Sequence, residues 1–478
     1  MNQTILKLIV LLAICSPSLL NGGEHPHIVL IMADDMGYGD PTSYNANSKI
    51  STRHIDGLAA DGMRFTDAHA PAALCVPTRY GLMTGRYPFR MPNVEDRHPL
   101  ITADRMTIAT LLRDNGYATH MVGKWHLGFD FADISGEHHG GPVDRGFDKY
   151  FGIPRSLDIP PYYYIQDRMP VSPPTETIAA NDSVAEGWTR IQGAFWREGG
   201  IAPDFKHVDV LPRFADEAVQ VIDQHAAAET GEPLFLYFAL PAPHTPWMPT
   251  KEYIGKSGAS TYGDFALQVD DCVGSVLSAL EQHGMTDDTL VIFTSDNGPV
   301  WFPHDVERLG HASTGPLRGM KGDAWEGGHR MPFLVRWPGR VQKGTVSDQL
   351  ICHVDLLRTF SEILGVQLPE TEGVDSHSFL SELMRDGEPS SLRMSLISQS
   401  SKKVLAIRKG PWKLIPTRGS GGFTKTDERE DGPPGQLYRL DRDLGESNNL
   451  WNEHPEVVQE LTNELKAIHD GHRTTPSS

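Results

Sequence analysis

Residues 27–40 read HIVLIMADDMGYGD, a continuous apolar run that ends in two adjacent carboxylates and a glycine-rich turn. An uninterrupted apolar run of this kind predicts a strand buried on both faces of a parallel sheet. Residues 289–298 read TLVIFTSDNG and have the same form. Because sites in open α/β sheets assemble beyond the carboxyl ends of the strands, we expect the two polar ends to lie together.

The polar residues at these strand ends are candidate metal ligands. Asp34 and Asp35 repel each other unless a cation lies between them. An isolated Asp-Asp pair is also typical of a solvated turn or a helix cap. Asp296 and Asn297 at the second strand end favour the metal interpretation, because the four side chains present only oxygen donors. Such a set suits Ca²⁺ or Mg²⁺ better than zinc.

A short helix is predicted within residues 73–85, which read ALCVPTRYGLMTG. Pro77 is tolerated in a first helical turn and Gly85 is a stop signal, so Cys75 is expected at the helix N-terminus. The free N–H groups and the positive dipole end there favour an anion. Arg79 lies four residues on and comes round to the same face. Taken alone, a cysteine is more often a small buried hydrophobe than a nucleophile.

Three further motifs place basic side chains after apolar runs. Lys124 and His126 follow a predicted strand at 117–122 and, two apart in an extended segment, are expected to face the same way. His244 follows the apolar run 234–240, and Lys321 lies in the sequence LRGMKGDAWEGG. A lone histidine is more often structural and a lone lysine usually points into solvent. Their shared position at strand ends favours a common site.

The pentapeptide Cys-Val-Pro-Thr-Arg at 75–79 resembles the Cys-x-Pro-x-Arg signature of type I sulfatases, the arylsulfatase-like branch of the alkaline phosphatase superfamily. The other motifs match that family in the expected order along the chain. A weaker pattern at 436–450 extends the resemblance to nearly the whole chain. The resemblance implies a sulfuric ester hydrolase.

The resemblance also implies the cofactors. Cys75 would be oxidised to formylglycine by a formylglycine-generating enzyme, and the hydrate of that aldehyde would be the nucleophile. One Ca²⁺ per chain would be held by the side chains at both strand ends, with residue 75 as a further ligand. These metal ligands are Asp34, Asp35, Cys75, Asp296 and Asn297.

The remaining roles follow from the family pattern. Lys124 and Lys321 would bind the sulfuryl oxygens, and His244 would protonate the leaving alcohol. Arg79 and His126 would hold the hydrate. Together with Cys75 these form the predicted catalytic set.

The substrate implied by export and by the family is a sulfated carbohydrate or polysaccharide. His304 and His311 are candidate substrate-binding residues, although each also fits a structural role. Two alternatives stay open: a phosphatase or phosphonate monoester hydrolase of the same superfamily, and a noncatalytic sulfated-glycan binder. The pair Lys124 and His126 favours sulfate over phosphate, and the intact nucleophile motif counts against a binder.

Composition indicates a large enzyme. The chain has 478 residues, is 39% hydrophobic and carries a formal charge of −19. This charge argues against a nucleic-acid partner, which requires a basic surface to neutralise phosphates. Beyond the N-terminus no segment is long enough to span a membrane, and nothing in the sequence specifies the oligomeric state.

Residues 1–22 predict a secretory signal peptide, because the apolar segment is short and is followed by small residues. Ile14 is bulkier than the residue that lipoprotein processing prefers before a cysteine, so we expect a secreted or periplasmic protein rather than a lipid anchor at Cys15. Cys272 lies in an apolar helical stretch, so a disulfide with Cys352 is not expected.

The predicted architecture has two parts. Residues 23–385 form a catalytic sulfatase domain with a mostly parallel sheet between helices, the alkaline phosphatase-like α/β fold. Residues 386–478 form a smaller antiparallel sheet with one helix. Regularity is lost between residues 130 and 205, where the proline-rich stretches 158–164 and 171–175 are expected to be extended loops. This region either shapes the pocket or forms a surface excursion.

Overall fold

The central sheet is built around β1 (His27–Asp34), which runs parallel to β10 (Leu234–Pro243) on one side and to β11 (Thr289–Ser295) on the other. Side chains 28 to 33 are fully buried, as the continuous apolar run predicts. The computed structural model describes residues 25–92, 98–384, 393–426 and 432–475.

The other strands and the helices have the following bounds. The strands are β2 (Met63–Phe65), β3 (Ala68–His69), β4 (Ala118–Lys124), β5 (Lys149–Ile153), β6 (Ile165–Gln166), β7 (Met169–Pro170), β8 (Glu176–Ile178), β9 (Gly199–Ile201), β12 (Phe333–Arg336), β13 (Thr345–Ser347), β14 (Ile351–Cys352), β15 (Ser395–Gln399), β16 (Leu405–Lys409), β17 (Trp412–Ile415) and β18 (Gln436–Arg439). The helices are α1 (Arg53–Asp61), α2 (Cys75–Thr84), α3 (Ile108–Arg113), α4 (His207–Ala228), α5 (Ser260–Gln282), α6 (Pro303–Leu309), α7 (Glu326–His329), α8 (Leu356–Ile363), α9 (Leu380–Met384) and α10 (Pro455–Asp470).

The large sheet has the strand order β13-β2-β12-β11-β1-β10-β4-β5-β6-β7. The five central strands from β11 to β5 are parallel, whereas antiparallel pairs join β12 to β11 and β6 to β5. The predicted mostly parallel sheet is therefore confirmed, with antiparallel strands towards both edges.

Helices cover both faces of this sheet. Because residues paired across neighbouring strands point to the same face, Phe235 of β10 and Phe151 of β5 lie on opposite faces. Phe360 of α8 packs against Phe235 with ring centroids 6.3 Å apart, and Phe214 of α4 packs against Phe151 at 6.0 Å. The buried aromatic rings thus fix a helix layer on each side.

The region 130–205 is more ordered than predicted. β5 pairs in parallel with β4, and β6 and β7 extend the large sheet, while β8 and β9 form a separate two-stranded sheet. The two proline-rich stretches 158–164 and 171–175 lie outside the helices and strands, as predicted. The short strands around them were not predicted, because they have only two to five residues each, too few to produce a period.

The C-terminal subdomain matches its prediction. Strands β15 to β18 form a four-stranded antiparallel sheet, and α10 packs on β16 and β17. Its apolar face joins the larger α/β part through Tyr87 and Val354. The predicted boundary at 385/386 lies outside the described residues, so it stays a prediction.

The remaining sequence expectations concern cysteines and membranes. Cys75, Cys272 and Cys352 are buried free thiols, so the expectation of no disulfide between the last two is met. Across the described ranges, no helix has the length and apolar character needed to cross a membrane. The predicted signal peptide, residues 1–22 with Cys15, lies outside the described residues.

Candidate active site

The carboxyl ends of β1 and β11 meet beyond Ala33 and Ser295, which are paired across the parallel ladder. The Asp35 N–H donates to Asp296 Oδ1 at 3.2 Å, and Asn297 Nδ2 donates to Asp35 Oδ1 at 2.5 Å. The two strand ends marked in the sequence therefore form one buried cluster of oxygen atoms.

Two oxygens of this cluster lack a donor. Asp34 Oδ1 and Asn297 Oδ1 are buried and accept no hydrogen bond from the described residues. Burying such acceptors costs free energy unless a further group completes them. Ligand atoms of Asp34, Cys75 and Asp296 all lie within 4.8 Å of one another. The donor set and its spacing fit a hard divalent cation.

Helix α2 carries Cys75 into this cluster. Cys75 is its first residue, Pro77 lies in its first turn, and Gly85 ends it with a left-handed φ of 63°. The cap N–H of Gly85 donates to the Gly81 carbonyl at 2.9 Å. Both helix ends are those predicted from the sequence.

The Cys75 side chain is buried against His126, with Sγ 3.5 Å from His126 Nδ1. Burial raises the pKa of the thiol, and the charges of Lys124 and Lys321 only partly oppose this. Since the thiolate is the nucleophilic form of cysteine, an unmodified Cys75 in this environment is poorly suited to attack.

Arg79 joins three elements of the site. Its Nε and Nη2 donate to Asp296 Oδ2 at 3.2 and 2.9 Å, and its Nη1 donates to the Lys124 carbonyl at 3.0 Å. The guanidinium is 1% exposed. This planar fork therefore fixes α2 against the ends of β11 and β4.

Lys124 and His126 both face the cluster, but not through an extended backbone. Lys124 ends β4 and donates from Nζ to Asp34 Oδ2 at 2.5 Å. His126 has a left-handed φ of 58°. The expectation of an extended segment was therefore wrong, because a turn at His126 brings its ring to Cys75. Burial and the charges of Lys124 and Arg79 hold the pKa of His126 well below its usual range.

Lys321 reaches the same cluster from the loop between α6 and α7. The expected position at a strand end was therefore wrong for this residue. Its Nζ donates to both carboxylate oxygens of Asp35, at 2.6 and 2.9 Å, and its backbone N–H donates to the Pro299 carbonyl at 2.9 Å. Burial opposes the charge, but Asp35 and the neighbouring anionic groups raise the pKa of Lys321 above its usual value. The ammonium group therefore stays charged.

His244 follows β10, and a backbone carbonyl holds one nitrogen of its ring. Nδ1 lies 2.6 Å from the Thr245 carbonyl, which can only accept, so this nitrogen carries a proton. Nε2 lies 3.6 Å from Asp35 Oδ2. The second ring nitrogen thus faces the carboxylate cluster.

The sequence analysis did not identify two polar residues of the site. Ser156 Oγ accepts from Lys124 Nζ at 3.3 Å and lies 3.2 Å from His244 Nδ1. Asp158 Oδ1 lies 4.0 Å from His244 Nδ1. Both follow β5 directly, so recognising β5 as a parallel strand would have marked them, since its carboxyl end shares the edge of the site.

The carboxylates have unequal pKa values. Burial disfavours ionisation of Asp34, but Lys124, His244 and Arg79 outweigh it and hold the pKa well below the usual range. Burial and the nearby Asp34 raise the pKa of Asp296 to about 7, although Arg79 and Lys124 oppose this. Asp34 is therefore ionised at a lower pH than Asp296.

The two candidate substrate-binding histidines differ in burial. His311 is fully buried, with Nε2 2.8 Å from Asp40 Oδ1 and Nδ1 accepting from the Lys49 N–H at 3.3 Å. Both ring nitrogens have protein partners, which fits the structural role of His311, and its contact with substrate stays a prediction. His304 is exposed on α6 and stacks on Phe302 at 5.3 Å.

Comparison with protein families gives two matches. The family described as Sulfatase matches residues 26–366. The family described as N-sulphoglucosamine sulphohydrolase, C-terminal, matches residues 321–471.

Among characterised proteins, the chain is 35% identical over 488 residues to N-acetylgalactosamine-6-O-sulfatase of Bacteroides thetaiotaomicron, covering 93% of each chain. It is 34% identical over 475 residues to arylsulfatase A of Homo sapiens, covering 91% of this chain and 86% of the relative.

Two solved structures show the same fold. One, from work on the metabolism of multiple glycosaminoglycans by Bacteroides thetaiotaomicron, has a TM-score of 0.82 and 33% identity, covering 94% of this chain and 100% of that chain. The other, Ps i-CgsB in complex with k-i-k-neocarrahexaose, has a TM-score of 0.71 and 26% identity, covering 95% and 94%.

Proposed function

Because this chain belongs to the sulfatase family, we propose that it hydrolyses sulfate esters of a sulfated carbohydrate through a formylglycine formed from Cys75. The observation that carries the proposal is the position of Cys75 within 4.8 Å of Asp34 and Asp296, among buried cationic side chains. Such a site binds a compact anion next to a nucleophile.

Formylglycine explains why a buried thiol occupies the nucleophile position. The hydrate of the aldehyde supplies a hydroxyl nucleophile and a second hydroxyl through which the aldehyde can be restored. The raised pKa of Cys75 favours this interpretation over direct attack by sulfur. A formylglycine-generating enzyme would be the maturation partner.

Ca²⁺ fits the oxygen atoms at the strand ends. Asp34, Asp35, Asp296 and Asn297 would hold it, with residue 75 as a further ligand. The two buried oxygens without donors, Asp34 Oδ1 and Asn297 Oδ1, support this assignment. When bound, the ion supplies Lewis-acid stabilisation of the charge that develops on sulfuryl oxygens.

The side chains of the chain itself have distinct roles in the proposed reaction. Lys124 and Lys321 bind the sulfuryl oxygens as point charges. Arg79 orients residue 75 and Asp296, and Asp296 accepts the proton from the attacking hydroxyl at position 75. These charges are buried and already in place, so little reorganisation accompanies the reaction.

Proton transfer to the leaving group is assigned to His244. The Thr245 carbonyl fixes its Nδ1–H, so Nε2 is the nitrogen available to carry a proton to the leaving oxygen. His126, next to Cys75 and with a lowered pKa, is a neutral base suited to the second hydroxyl of the hydrate.

The substrate class follows from the relatives. One is named for N-acetylgalactosamine 6-sulfate, and one solved structure holds a neocarrahexaose. We propose an exported enzyme, secreted or periplasmic, with residues 1–22 as its signal peptide. His304 stays a candidate contact for the sugar, since its imidazole is exposed on α6.

The test is release of inorganic sulfate by protein produced together with a formylglycine-generating enzyme. The panel contains 4-nitrophenyl sulfate, N-acetylgalactosamine 6-sulfate and 4-sulfate, galactose 6-sulfate, and 4-nitrophenyl phosphate. We expect sulfate release that Cys75→Ala abolishes and that Cys272→Ala, a buried thiol of α5, retains. Release of phosphate in preference to sulfate, or full activity of Cys75→Ala, would contradict the proposal.

A further inference from the structure

Helix α7 connects the three loops that carry the site. The Ala70 N–H, in the loop before Cys75, donates to the His329 carbonyl at 2.7 Å. The Gly298 N–H, next to Asn297, donates to the Gly328 carbonyl at 3.0 Å. The Gly327 N–H donates to the Arg318 carbonyl at 2.7 Å, at the start of the loop that holds Lys321.

The backbone of α7 packs closely against its neighbours. A Cβ added at Gly298 would lie 1.9 Å from the Gly327 carbonyl oxygen, and one added at Gly328 would lie 2.3 Å from the Asp323 carbonyl oxygen. Backbone contacts of this kind transmit a displacement of α7 directly to its neighbours. The backbone of α7 is therefore in close contact with all three loops.

The position of α7 depends in turn on a buried charge. The Glu326 carboxylate is fully buried. Lys413 of β17 donates to Glu326 Oε1 at 2.9 Å, and Arg330 Nη1 donates to Oε2 at 3.2 Å. A buried carboxylate requires such partners, because burying it unpaired is strongly unfavourable.

A second contact from the C-terminal subdomain reaches the helix backbone. Glu446 Oε2 accepts a hydrogen bond from the Glu326 N–H at 2.7 Å, and Glu446 Oε1 lies 2.8 Å from Lys413 Nζ. Lys413 and Glu446 thus contact both the side chain and the backbone of the first residue of α7. The same ammonium lies 3.2 Å from His329 Nε2, at the other end of the helix.

We propose that Lys413 and Glu446 are positioning residues of the active site, which hold α7 and through it the loops of Cys75, Asn297 and Lys321. The C-terminal subdomain is then part of the catalytic apparatus, although none of these contacts involves the reacting atoms. The inference rests on the proposed function, because one of its measurements is sulfate ester hydrolysis.

The test compares Lys413→Met with Lys409→Met. Both lysines lie in the C-terminal sheet, but Lys409 is partly exposed and pairs with Glu460 and Glu464 at the surface. For each variant we would measure the unfolding midpoint, kcat and KM for 4-nitrophenyl sulfate well below that midpoint, and Ca²⁺ affinity by calorimetry. Loss of a direct hydrogen-bond partner of a metal ligand typically costs about 10- to 100-fold in metal affinity or activity, and we take this range as the reference for contacts that act through α7.

We expect Lys413→Met to lower kcat by about 10- to 100-fold and to weaken Ca²⁺ binding, while Lys409→Met matches the wild type. A lowered midpoint with wild-type kcat and Ca²⁺ affinity would overturn the proposal, since that pattern belongs to a purely structural ion pair. If the wild type neither hydrolyses a sulfate ester nor binds Ca²⁺, the proposed function fails instead.

The triple variant Lys413→Met/Glu326→Gln/Glu446→Gln decides the case where Lys413→Met does not fold. It removes both buried carboxylates that Lys413 balances together with their cation, so we expect the unfolding midpoint to recover relative to the single variant. Because the contact between residue 413 of β17 and the side chain at position 326 of α7 is still missing, kcat should stay at least about 10-fold below that of the wild type. Recovery of both quantities would show that Lys413 only balances charge.

Discussion

The charges of the side chains around Cys75 balance one another. Arg79 pairs with Asp296, Lys124 with Asp34, and Lys321 with Asp35. Adding a divalent cation to this set makes the site locally positive. A sulfate ester is then attracted at short range, although the chain has a formal charge of −19, because distant surface charges are screened by salt.

At the residue scale, the proposed role of His244 predicts a dependence on the leaving group. In His244→Asn, kcat/KM for a sulfated sugar should fall by about 10²- to 10⁴-fold. The loss for 4-nitrophenyl sulfate should be smaller, because nitrophenolate is a stable anion that leaves without a proton. Steady-state kinetics on the two substrates measure the difference.

The matched control for this prediction is His283→Asn. His283 is a partly exposed histidine that pairs with Asp223 at the surface, 2.7 Å away. It should behave as the wild type on both substrates. If His244→Asn lowers kcat/KM equally for the two substrates, His244 is not the proton donor.

At the element scale, the strand ends could be predicted and the contacts between distant segments could not. β1, β11 and α2 each carry a local signal, an apolar run or a helix with a glycine stop, and their ends bring together Asp34, Asp296 and Cys75. His126 turns through a left-handed residue, and left-handed residues other than glycine have no reliable sequence signature. Lys413 and Glu326, which form an ion pair, are 87 residues apart in the chain, so no local sequence pattern predicts their contact.

Helix α1 supplies the prediction at this scale. Asp270 of α5 accepts the N–H groups of His54 and Ile55, at 3.1 and 2.8 Å, in the first turn of α1. Burial raises its pKa to about 7, while these N–H groups oppose the rise. The unfolded chain releases this proton near pH 4, so the contribution of Asp270 to stability falls as the pH rises from about 4 to about 7 and is level above that.

Asp270→Asn keeps an acceptor oxygen and removes the charge. We therefore expect the unfolding temperature of Asp270→Asn, measured by calorimetry, to exceed that of the wild type by a larger margin at pH 8 than at pH 5. Asp61→Asn, at the exposed end of α1 and paired with Lys343 at the surface, is the control and should show no such difference. A gain of the same size at both pH values would mean that the Asp270 carboxyl titrates normally.

At the scale of the whole molecule, the sequence predicted the large mostly parallel sheet, the small antiparallel sheet and its helix. It did not predict that residues 149–170 extend the large sheet, because strands of two to five residues have no measurable period. The division into two parts also understates their connection, since charged residues of the C-terminal subdomain contact α7 beside the site.

The central claim is that residue 75 is the nucleophile in the form of formylglycine. The most direct measurement is the mass of the tryptic peptide 65–79 from protein made alongside a formylglycine-generating enzyme. The account predicts loss of the Cys75 thiol and gain of an aldehyde that a hydrazide traps. An unmodified thiol in protein that nevertheless releases sulfate at full rate would contradict it.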